Sequence, residues 1–140
     1  GEGISMGALV RSSVAAAAAG AFLIGVGALP AAASASSLPW HSPNRVVSGV
    51  PVAVSSIASC PPVPTPGDQL LVEVDITFPG GGMGNVLPAN ADGSWSGQLT
   101  FNFSGTPRQA TISASCEDFN GVFATAYAQY QSRHTQLVPS

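Results

Sequence analysis

Strict alternation of apolar and other side chains over residues 70–78 constrains the fold of this chain more than any other feature. One face of the segment carries five apolar residues and the opposite face is mostly polar: Leu70, Val72, Val74, Ile76 and Phe78 against Leu71, Glu73, Asp75 and Thr77. A helix would scatter the first set around its circumference, whereas an extended strand places it on one side. The segment is therefore predicted to be a β-strand that buries one face and ends at Pro79.

Other segments with the same period predict further strands. Residues 94–103 and 109–116 each place alternate apolar side chains on one side: Trp95, Leu99, Phe101 and Phe103 in the first, and Ala110, Ile112, Ala114 and Cys116 in the second. Residues 52–60 predict two short strands, because Ile57 falls out of step with the preceding valines, and residues 122–130 predict another. Short strands, turns rich in Pro and Gly, and the lack of an amphipathic helical pattern after residue 35 predict an all-β, antiparallel sandwich.

The loop between the last two predicted strands leaves two registers open. Asn120-Gly121 is the preferred pair for a two-residue hairpin loop, because both residues tolerate a positive φ. If the loop is that pair alone, Asp118 lies opposite Phe123, and Phe123 and Tyr127 join the core. We favour this register because it buries the aromatic side chains. A longer loop would instead bury Val122, Ala124 and Ala126.

The N-terminal segment has the features of an export signal. Arg11 follows Met6, residues 14–29 form an apolar run, and Ala33-Ser34-Ala35 is the small-x-small pattern that signal peptidase cleaves. The apolar run is shorter than the roughly 20 residues that a membrane-spanning helix needs. We therefore predict a cleavable signal-peptide helix cut after Ala35, a secreted protein, and no stable membrane insertion after cleavage.

The rest of the chain has the length and charge of one small acidic domain. Removing residues 1–35, an upstream extension with the signal peptide, from 140 leaves 105, which is close to the commonest domain size. Residues 36–49 are predicted to be a flexible lead-in and residues 50–138 to be the β-domain. The formal net charge is −3 and lysine is absent. Nucleic acid is therefore excluded as a partner, because the chain cannot assemble a basic patch.

The two cysteines, Cys60 and Cys116, are predicted to form a disulfide. Each ends an alternating segment, and they lie 56 positions apart. In an exported chain, an even pair of cysteines is expected to be oxidised. Closing a loop of this length stabilises a domain by about 4 kcal/mol in the chain-entropy treatment. A metal site needs more ligands, and His41 and His134 lie in terminal segments, so no metal and no cofactor are predicted.

The cysteine spacing and two short motifs resemble an immunoglobulin-like domain. The pair spans about half of a domain of roughly 100 residues, and A-D-G-S-W-S at 91–96 and A-T-I-S-A-S-C at 110–116 are similar to segments of small exported actinobacterial modules of that type. The resemblance covers residues 50–138 and implies an antiparallel Ig-like β-sandwich with one inter-sheet disulfide. Trp95 departs from the antibody-type pattern, because it lies too far after Cys60 to be the strand-C tryptophan.

The resemblance implies a binding role, and the residues suggest where binding would occur. The segment 79–93 is predicted to be a long glycine-rich loop, and long loops on a rigid sandwich are common binding sites. Its candidate binding residues are Gly81, Met83, Asn85, Val86 and Leu87. An exposed apolar patch could be added by Tyr130, Phe119 and Leu71. Glu73 and Asp75 are expected to form an ordinary solvated strand face rather than a cation site.

These features predict a non-catalytic exported module that contacts a protein, a glycan or a cell-envelope surface through its loops. An enzyme is the least favoured class, because the segment 93–97 has Trp95 where a nucleophile elbow needs serine. One alternative is a secreted small-ligand carrier that resembles the neocarzinostatin-type chromoproteins, although those keep a second disulfide that this chain lacks. Another alternative is a protease inhibitor that presents the 79–93 loop.

Overall fold

The computed structural model describes residues 38–140, which contain nine β-strands and no helix. The all-β prediction is confirmed for this range. The predicted signal peptide and its cleavage site lie outside the described residues. The strands are β1 (Trp40–His41), β2 (Arg45–Val47), β3 (Val52–Ser56), β4 (Gln69–Phe78), β5 (Gly81–Pro88), β6 (Ser96–Leu99), β7 (Arg108–Phe119), β8 (Ala124–Gln129) and β9 (Arg133–Val138).

The strands form a larger and a smaller sheet. The larger sheet has the order β2-β9-β7-β4-β5, with β8 also paired to β7, and the smaller sheet has the order β1-β3-β6. Strand β7 pairs with β4 along one edge, and along the other edge with β9 over its first half and β8 over its second half. The larger sheet is mixed rather than purely antiparallel, because β2 runs parallel to β9.

The alternation that predicted β4 and β7 determines which of their side chains are buried. Across the β4–β7 pairs, Val72 faces Cys116, Val74 faces Ala114, and the two isoleucines at 76 and 112 face each other. All of these side chains are buried. They join one hydrophobic core that also receives Trp40, Val54 and Leu99 from the smaller sheet.

Two predicted strand segments are shorter in the structure than in the prediction. Of residues 94–103, only Ser96–Leu99 is a strand, yet Trp95 and Phe101 on either side remain buried as the alternation predicted. Of residues 52–60, only Val52–Ser56 is a strand, and the out-of-step Ile57 is exposed. The alternation therefore predicted burial more accurately than it predicted strand ends.

Residues 38–49 are part of the fold, which corrects the prediction of a flexible lead-in. Strand β1 pairs with β3, and β2 pairs with β9. Trp40 and Val46 are buried in the core, and the Trp40 Nε1 atom donates a hydrogen bond to the Gln131 carbonyl at 2.6 Å. Strands of two and three residues are too short to show a period of two, so the sequence pattern could not reveal them.

The hairpin between β7 and β8 adopts neither of the two predicted registers. Its loop covers residues 120–123, and the Asn120 Oδ1 atom accepts the backbone N–H groups of Val122 and Phe123, each at 2.8 Å. This Asx-type turn is an alternative to the two-residue loop. Both side chains at the tip are exposed, at 74% for Val122 and 71% for Phe123.

A β-bulge explains why the register could not be extrapolated from the loop. Asp118 faces Thr125 and Glu117 faces Ala126, but Cys116 faces Ala128, so one residue of β8 is left over. A bulge of this kind changes which face each following residue occupies. As a result Ala124 and Ala126 are exposed, whereas Ala128 is buried.

Candidate functional site

The predicted disulfide between Cys60 and Cys116 is present and buried. Its sulfurs are 2.09 Å apart and its Cα atoms 5.9 Å apart, and both cysteines are almost inaccessible to solvent. Cys60 lies in the segment that follows β3 of the smaller sheet, and Cys116 lies on β7 of the larger sheet. The disulfide therefore links the segment that follows the smaller sheet's β3 covalently to β7 of the larger sheet.

Tyr130 is the centre of a hydrogen-bonded aromatic cluster beside this disulfide. Its hydroxyl donates to the Ala58 carbonyl at 2.5 Å and accepts from the Trp95 Nε1 atom at 2.9 Å. The Trp95 and Tyr130 rings pack edge-on with centroids 5.2 Å apart, and Trp40 packs against both. Burial raises the pKa of Tyr130, so its hydroxyl stays protonated and able to donate. The prediction that Tyr130 belongs to an exposed apolar patch is wrong.

Residues 81–88 form strand β5 at the edge of the larger sheet, which corrects the prediction of a long loop. A two-residue turn joins β4 to β5, with Pro79 at its first central position and Gly80, at a φ of +89°, at its second. The ladder runs from the pair Phe78–Gly81 to the pair Leu71–Pro88. Three glycines hide the period of two in this strand, because glycine contributes no side chain to either face.

The candidate binding residues divide between the two faces of β5. Leu87 is buried, Met83 packs against the core, and the Asn85 Nδ2 atom donates to the Thr100 carbonyl at 3.0 Å. A Cβ atom at Gly81 would touch the Phe78 ring on the same inner side. Val86 lies on the outer face and is 48% exposed. Most of the predicted residues therefore lie on the inner face of β5, where they contact the rest of the domain. Val86 is the one large side chain among them that faces solvent.

Three carboxyl groups meet on the outer face of the larger sheet. Glu73 on β4 faces Ser115 on β7, which places it diagonally beside Glu117, and their side chains share a hydrogen bond. Burial contributes most to the rise in the pKa of Glu117, and together with the hydrogen bond to Glu73 and the negative charges of Glu73 and Asp75 it raises that pKa to about 9. Glu117 is therefore protonated at neutral pH, and the prediction of an ordinary solvated face does not describe this cluster.

Sequence reasoning missed Glu117, although one signal for it was available. The outward positions of the predicted strand 109–116 continue, two residues at a time, from Ser113 and Ser115 to Glu117. Pairing β7 with β4 then brings Glu117 next to Glu73. The pairing itself is a long-range property that alternation within one segment cannot supply.

Gly84 lets negative charge extend over β5 to the edge of the sheet. It faces Asp75 across the β4–β5 pair. A Cβ atom at this position would collide with the Asp75 Oδ1 atom and would lie 3.3 Å from the Glu73 Oε2 atom. The carboxylates of β4 thus occupy the space that a side chain on β5 would otherwise fill.

A second acidic pair lies in a shallow cavity of about 260 Å³ beside the hairpin tip. Asp118 accepts the Thr65 N–H group at 3.0 Å and is hydrogen-bonded to Asp68. That shared hydrogen bond lowers the pKa of Asp118 and raises the pKa of Asp68. Together with a hydrogen bond from the Tyr127 hydroxyl to the Pro61 carbonyl, it ties the proline-rich segment 61–68 to β7 and β8.

The described residues offer hydrogen bonding and negative charge rather than an assembled nucleophile and base. A cavity of about 420 Å³ contains His134 with Thr77 and Thr111, but no carboxylate or cysteine lines it. The Ser94 hydroxyl donates to the Asp92 Oδ1 atom at 2.6 Å within a turn. Within residues 38–140, no group of three or more His, Cys, Asp or Glu side chains is placed to hold a metal ion, and no helix is long and apolar enough to cross a membrane.

The chain matches no protein-family model, no curated protein and no solved structure in comparisons with known proteins. Its function is therefore inferred from its own residues, above all from the order of the strands in the two sheets and from the acidic edge formed by β4 and β5, beyond which no strand lies within residues 38–140.

Proposed function

We propose that the protein is a non-catalytic, exported binding module with an Ig-like sandwich fold, and that the β5 side of the larger sheet contacts its partner. The strand order supports the fold. Variable-type Ig domains have A, B and E in one sheet and G, F, C and C′ in the other. Here β1-β3-β6 corresponds to A-B-E, and β9-β7-β4-β5 corresponds to G-F-C-C′. The disulfide then joins the segment after strand B to strand F, and Trp95, just before strand E, packs close to it.

One observation carries the proposal for the binding surface. Strand β5 is an edge strand, and the carboxylates of Glu73 and Asp75 lie over its backbone at Gly84. Edge strands expose unpaired backbone groups that can pair with another chain. An edge that combines open backbone groups with charge presents chemistry that a partner protein can recognise.

The two alternative functions fit the described geometry less well. A small-ligand carrier needs a chamber, but Trp40, Trp95 and Tyr130 fill the space beside the disulfide, and the cavities of about 420 and 260 Å³ are both open to the surface. A protease inhibitor would present residues 79–93 as a protruding loop, whereas most of this segment is a strand held against β4.

Export is supported by the leader pattern and is compatible with the disulfide, since disulfides persist in oxidising compartments. The expected mature protein begins at Ser36 in the culture medium. N-terminal sequencing of the secreted protein tests this expectation. An intact leader recovered from membranes would contradict it.

The binding role is tested by affinity capture with the oxidised full-length chain immobilised. Envelope fractions and culture medium are passed over the wild type and over Val86→Arg, which adds bulk and positive charge to the outer face of β5. A component that is retained by the wild type, displaced by free protein and lost with Val86→Arg supports the proposal. A partner that both proteins retain equally excludes the β5 surface, and a small molecule seen with the protein in native mass spectrometry favours the carrier.

A further inference from the structure

The hydrogen-bond pattern of the β4–β5 ladder shows which backbone groups of β5 face away from β4. Hydrogen-bonded and non-hydrogen-bonded pairs alternate in an antiparallel ladder, and a two-residue turn is closed by a hydrogen-bonded pair, here Phe78–Gly81. The non-bonded positions of β5 are therefore Gly82, Gly84, Val86 and Pro88. Pro88 fits this assignment because it has no N–H group to donate to β4.

Gly82, Gly84 and Val86 consequently direct their N–H and C=O groups toward the free edge of the sheet. All three residues are exposed, and within residues 38–140 β5 pairs with β4 alone. Natural edge strands are commonly protected by a lysine, an internal proline or a bulge. Strand β5 contains no charged residue and no bulge in its ladder, and its one proline is at its end.

The charge beside this edge restricts what can pair with it. A strand added to β5 would lie about 4.8 Å from it, with alternate side chains on the same face as Glu73 and Asp75. Lysine and arginine side chains at those positions can reach the carboxylates that lie over Gly84. This chain has no lysine, and its Arg45 is on β2, at the opposite edge of the sheet.

The same charge disfavours a second copy of the chain as the occupant. Edge-to-edge pairing of two β5 strands would bring the carboxylates of Glu73 and Asp75 in one copy close to those in the other. Like charges on neighbouring strands are destabilising. A basic segment gains from the same arrangement, so charge complementarity selects a different partner.

We propose that β5 binds an extended segment of a partner protein with Lys or Arg at alternate positions, and that this segment adds to the larger sheet as a further strand. Backbone hydrogen bonds to Gly82, Gly84 and Val86 would supply the pairing, and Glu73 with Asp75 would select the basic side chains. This inference rests on the proposed binding function and specifies the partner and its mode of binding.

The test uses the oxidised full-length protein and a synthetic peptide of about seven residues, the length of the open edge, with Lys alternating with Val and Thr. One control peptide has Glu in place of Lys. A second control keeps Lys but is N-methylated at alternate residues, which blocks strand pairing without changing the charge. Binding is followed by the amide NMR shifts of β5 and by titration to obtain Kd.

Two matched pairs of variants separate backbone pairing from side-chain contact. Val86→Pro removes one outward N–H group but leaves the ladder with β4, and we expect it to weaken binding about tenfold, the effect of one lost hydrogen bond together with steric obstruction. Val86→Thr keeps the N–H group and a side chain of similar shape, so it should bind the peptide more tightly than Val86→Pro does. Glu73→Gln should weaken binding of the Lys peptide severalfold, and Asp92→Asn, in the turn before β6, should not.

The Lys peptide should shift the amide signals of Gly82, Gly84 and Val86, and both control peptides should bind much more weakly. Equal binding of the N-methylated peptide, unchanged binding by folded Val86→Pro, or no binding of the Lys peptide at millimolar concentration would overturn strand addition. Dimers of the wild type that Val86→Pro abolishes would show that a second copy occupies the edge. If Val86→Pro does not fold, the N-methylated peptide and Glu73→Gln decide the question. If the peptide tests fail but affinity capture still finds a partner that Val86→Arg no longer retains, strand addition is wrong and the proposed binding function stands.

Discussion

The interior around the disulfide differs from the outer side of β4 and β5 in how its polar groups are satisfied. In the interior, the Tyr130 hydroxyl, the Trp95 indole and the Trp40 indole each have a hydrogen-bond partner in the protein. On the outer side, carboxyl groups hydrogen-bond to each other, and within residues 38–140 no strand pairs with the outer edge of β5. The first arrangement stabilises the fold, whereas the second leaves interactions available to a partner.

Two glycines illustrate the same difference. At Gly93, a Cβ atom would collide with the Cys60 carbonyl, and the φ of +89° already disfavours other residues. Gly93 therefore allows a close backbone approach beside the disulfide, where the Cys60 N–H group donates to its carbonyl at 2.9 Å. At Gly84, the missing side chain makes room for carboxylates at the surface. Gly93 therefore permits close packing in the interior, whereas Gly84 leaves room for negative charge at the edge of the sheet.

Loss of the disulfide should have the largest effect on stability. We expect the double variant Cys60→Ala, Cys116→Ala to lose about 4 kcal/mol of unfolding free energy, because the unfolded chain regains the entropy of the 56-residue loop. Urea denaturation measures the loss. Val86→Thr on the outer side is the matched control and should unfold at the wild-type midpoint. Equal midpoints for the double variant and the wild type would show that the disulfide does not stabilise the folded domain.

Tyr130→Phe should have the next largest effect. Removing the hydroxyl leaves the Trp95 indole N–H without its acceptor and the Ala58 carbonyl without its donor, both close to the disulfide. Buried groups left unsatisfied cost about 1–3 kcal/mol each, so we expect a loss of about 2–3 kcal/mol in urea denaturation.

The matched control for Tyr130→Phe is Tyr127→Phe. The Tyr127 hydroxyl also donates to a backbone carbonyl, that of Pro61, but it lies at the surface where water can replace it. Its removal should cost about 0.5–1 kcal/mol. Equal losses in the two variants would show that the interior hydrogen bonds are no more important than those at the surface.

Glu117→Gln should stabilise the protein in a pH-dependent way. The pKa of Glu117 is raised to about 9 in the fold from an ordinary value of 4.5. The folded state therefore binds this proton more tightly, so its stabilising contribution is complete below pH 4.5 and is lost as the pH rises toward 9. Glutamine can make similar hydrogen bonds without a proton, so we expect a gain of roughly 2 kcal/mol at pH 7 and little change at pH 4.

Urea denaturation at pH 4, 7 and 9 measures this difference. Asp92→Asn gives a control of opposite sign, because hydrogen bonds from Ser94 lower the pKa of Asp92. Its contribution is present above the ordinary pKa of an aspartate and is lost as the pH falls. A Glu117→Gln variant with the same pH profile as the wild type would mean that the outer carboxyl cluster does not bind a proton tightly.

Alternation within a strand reports burial directly, so the sequence predicted the core faces of β4 and β7 well, although it placed Trp40 in a flexible lead-in and Tyr130 at the surface. The buried faces of β4 and β7 and the Cys60–Cys116 bond all follow from periodicity and cysteine count. The outer side was predicted poorly because its properties arise between strands. Strand β5 depends on a ladder with β4 that its glycines conceal, and the burial of Glu117 depends on the pairing of β7 with β4. The bulge near Cys116 likewise depends on how β8 meets β7.

Thr135 is the exception within the interior, and its replacement should change stability less than loss of the disulfide, Tyr130→Phe or Glu117→Gln. It lies on β9 opposite Ala110, is 1% exposed, and its Oγ1 atom has no hydrogen-bond partner among the described residues. An unsatisfied buried hydroxyl is destabilising, and valine has nearly the same shape with a methyl group in its place. We expect Thr135→Val to gain about 1 kcal/mol, measured by urea denaturation. Ser48→Ala is the contrasting variant, because the Ser48 hydroxyl accepts the Phe103 N–H group and donates to the Phe103 carbonyl, both at 2.9 Å, and its removal should be destabilising. A loss of stability in Thr135→Val would mean that a bound water satisfies this hydroxyl, and the interior would then have no polar exception.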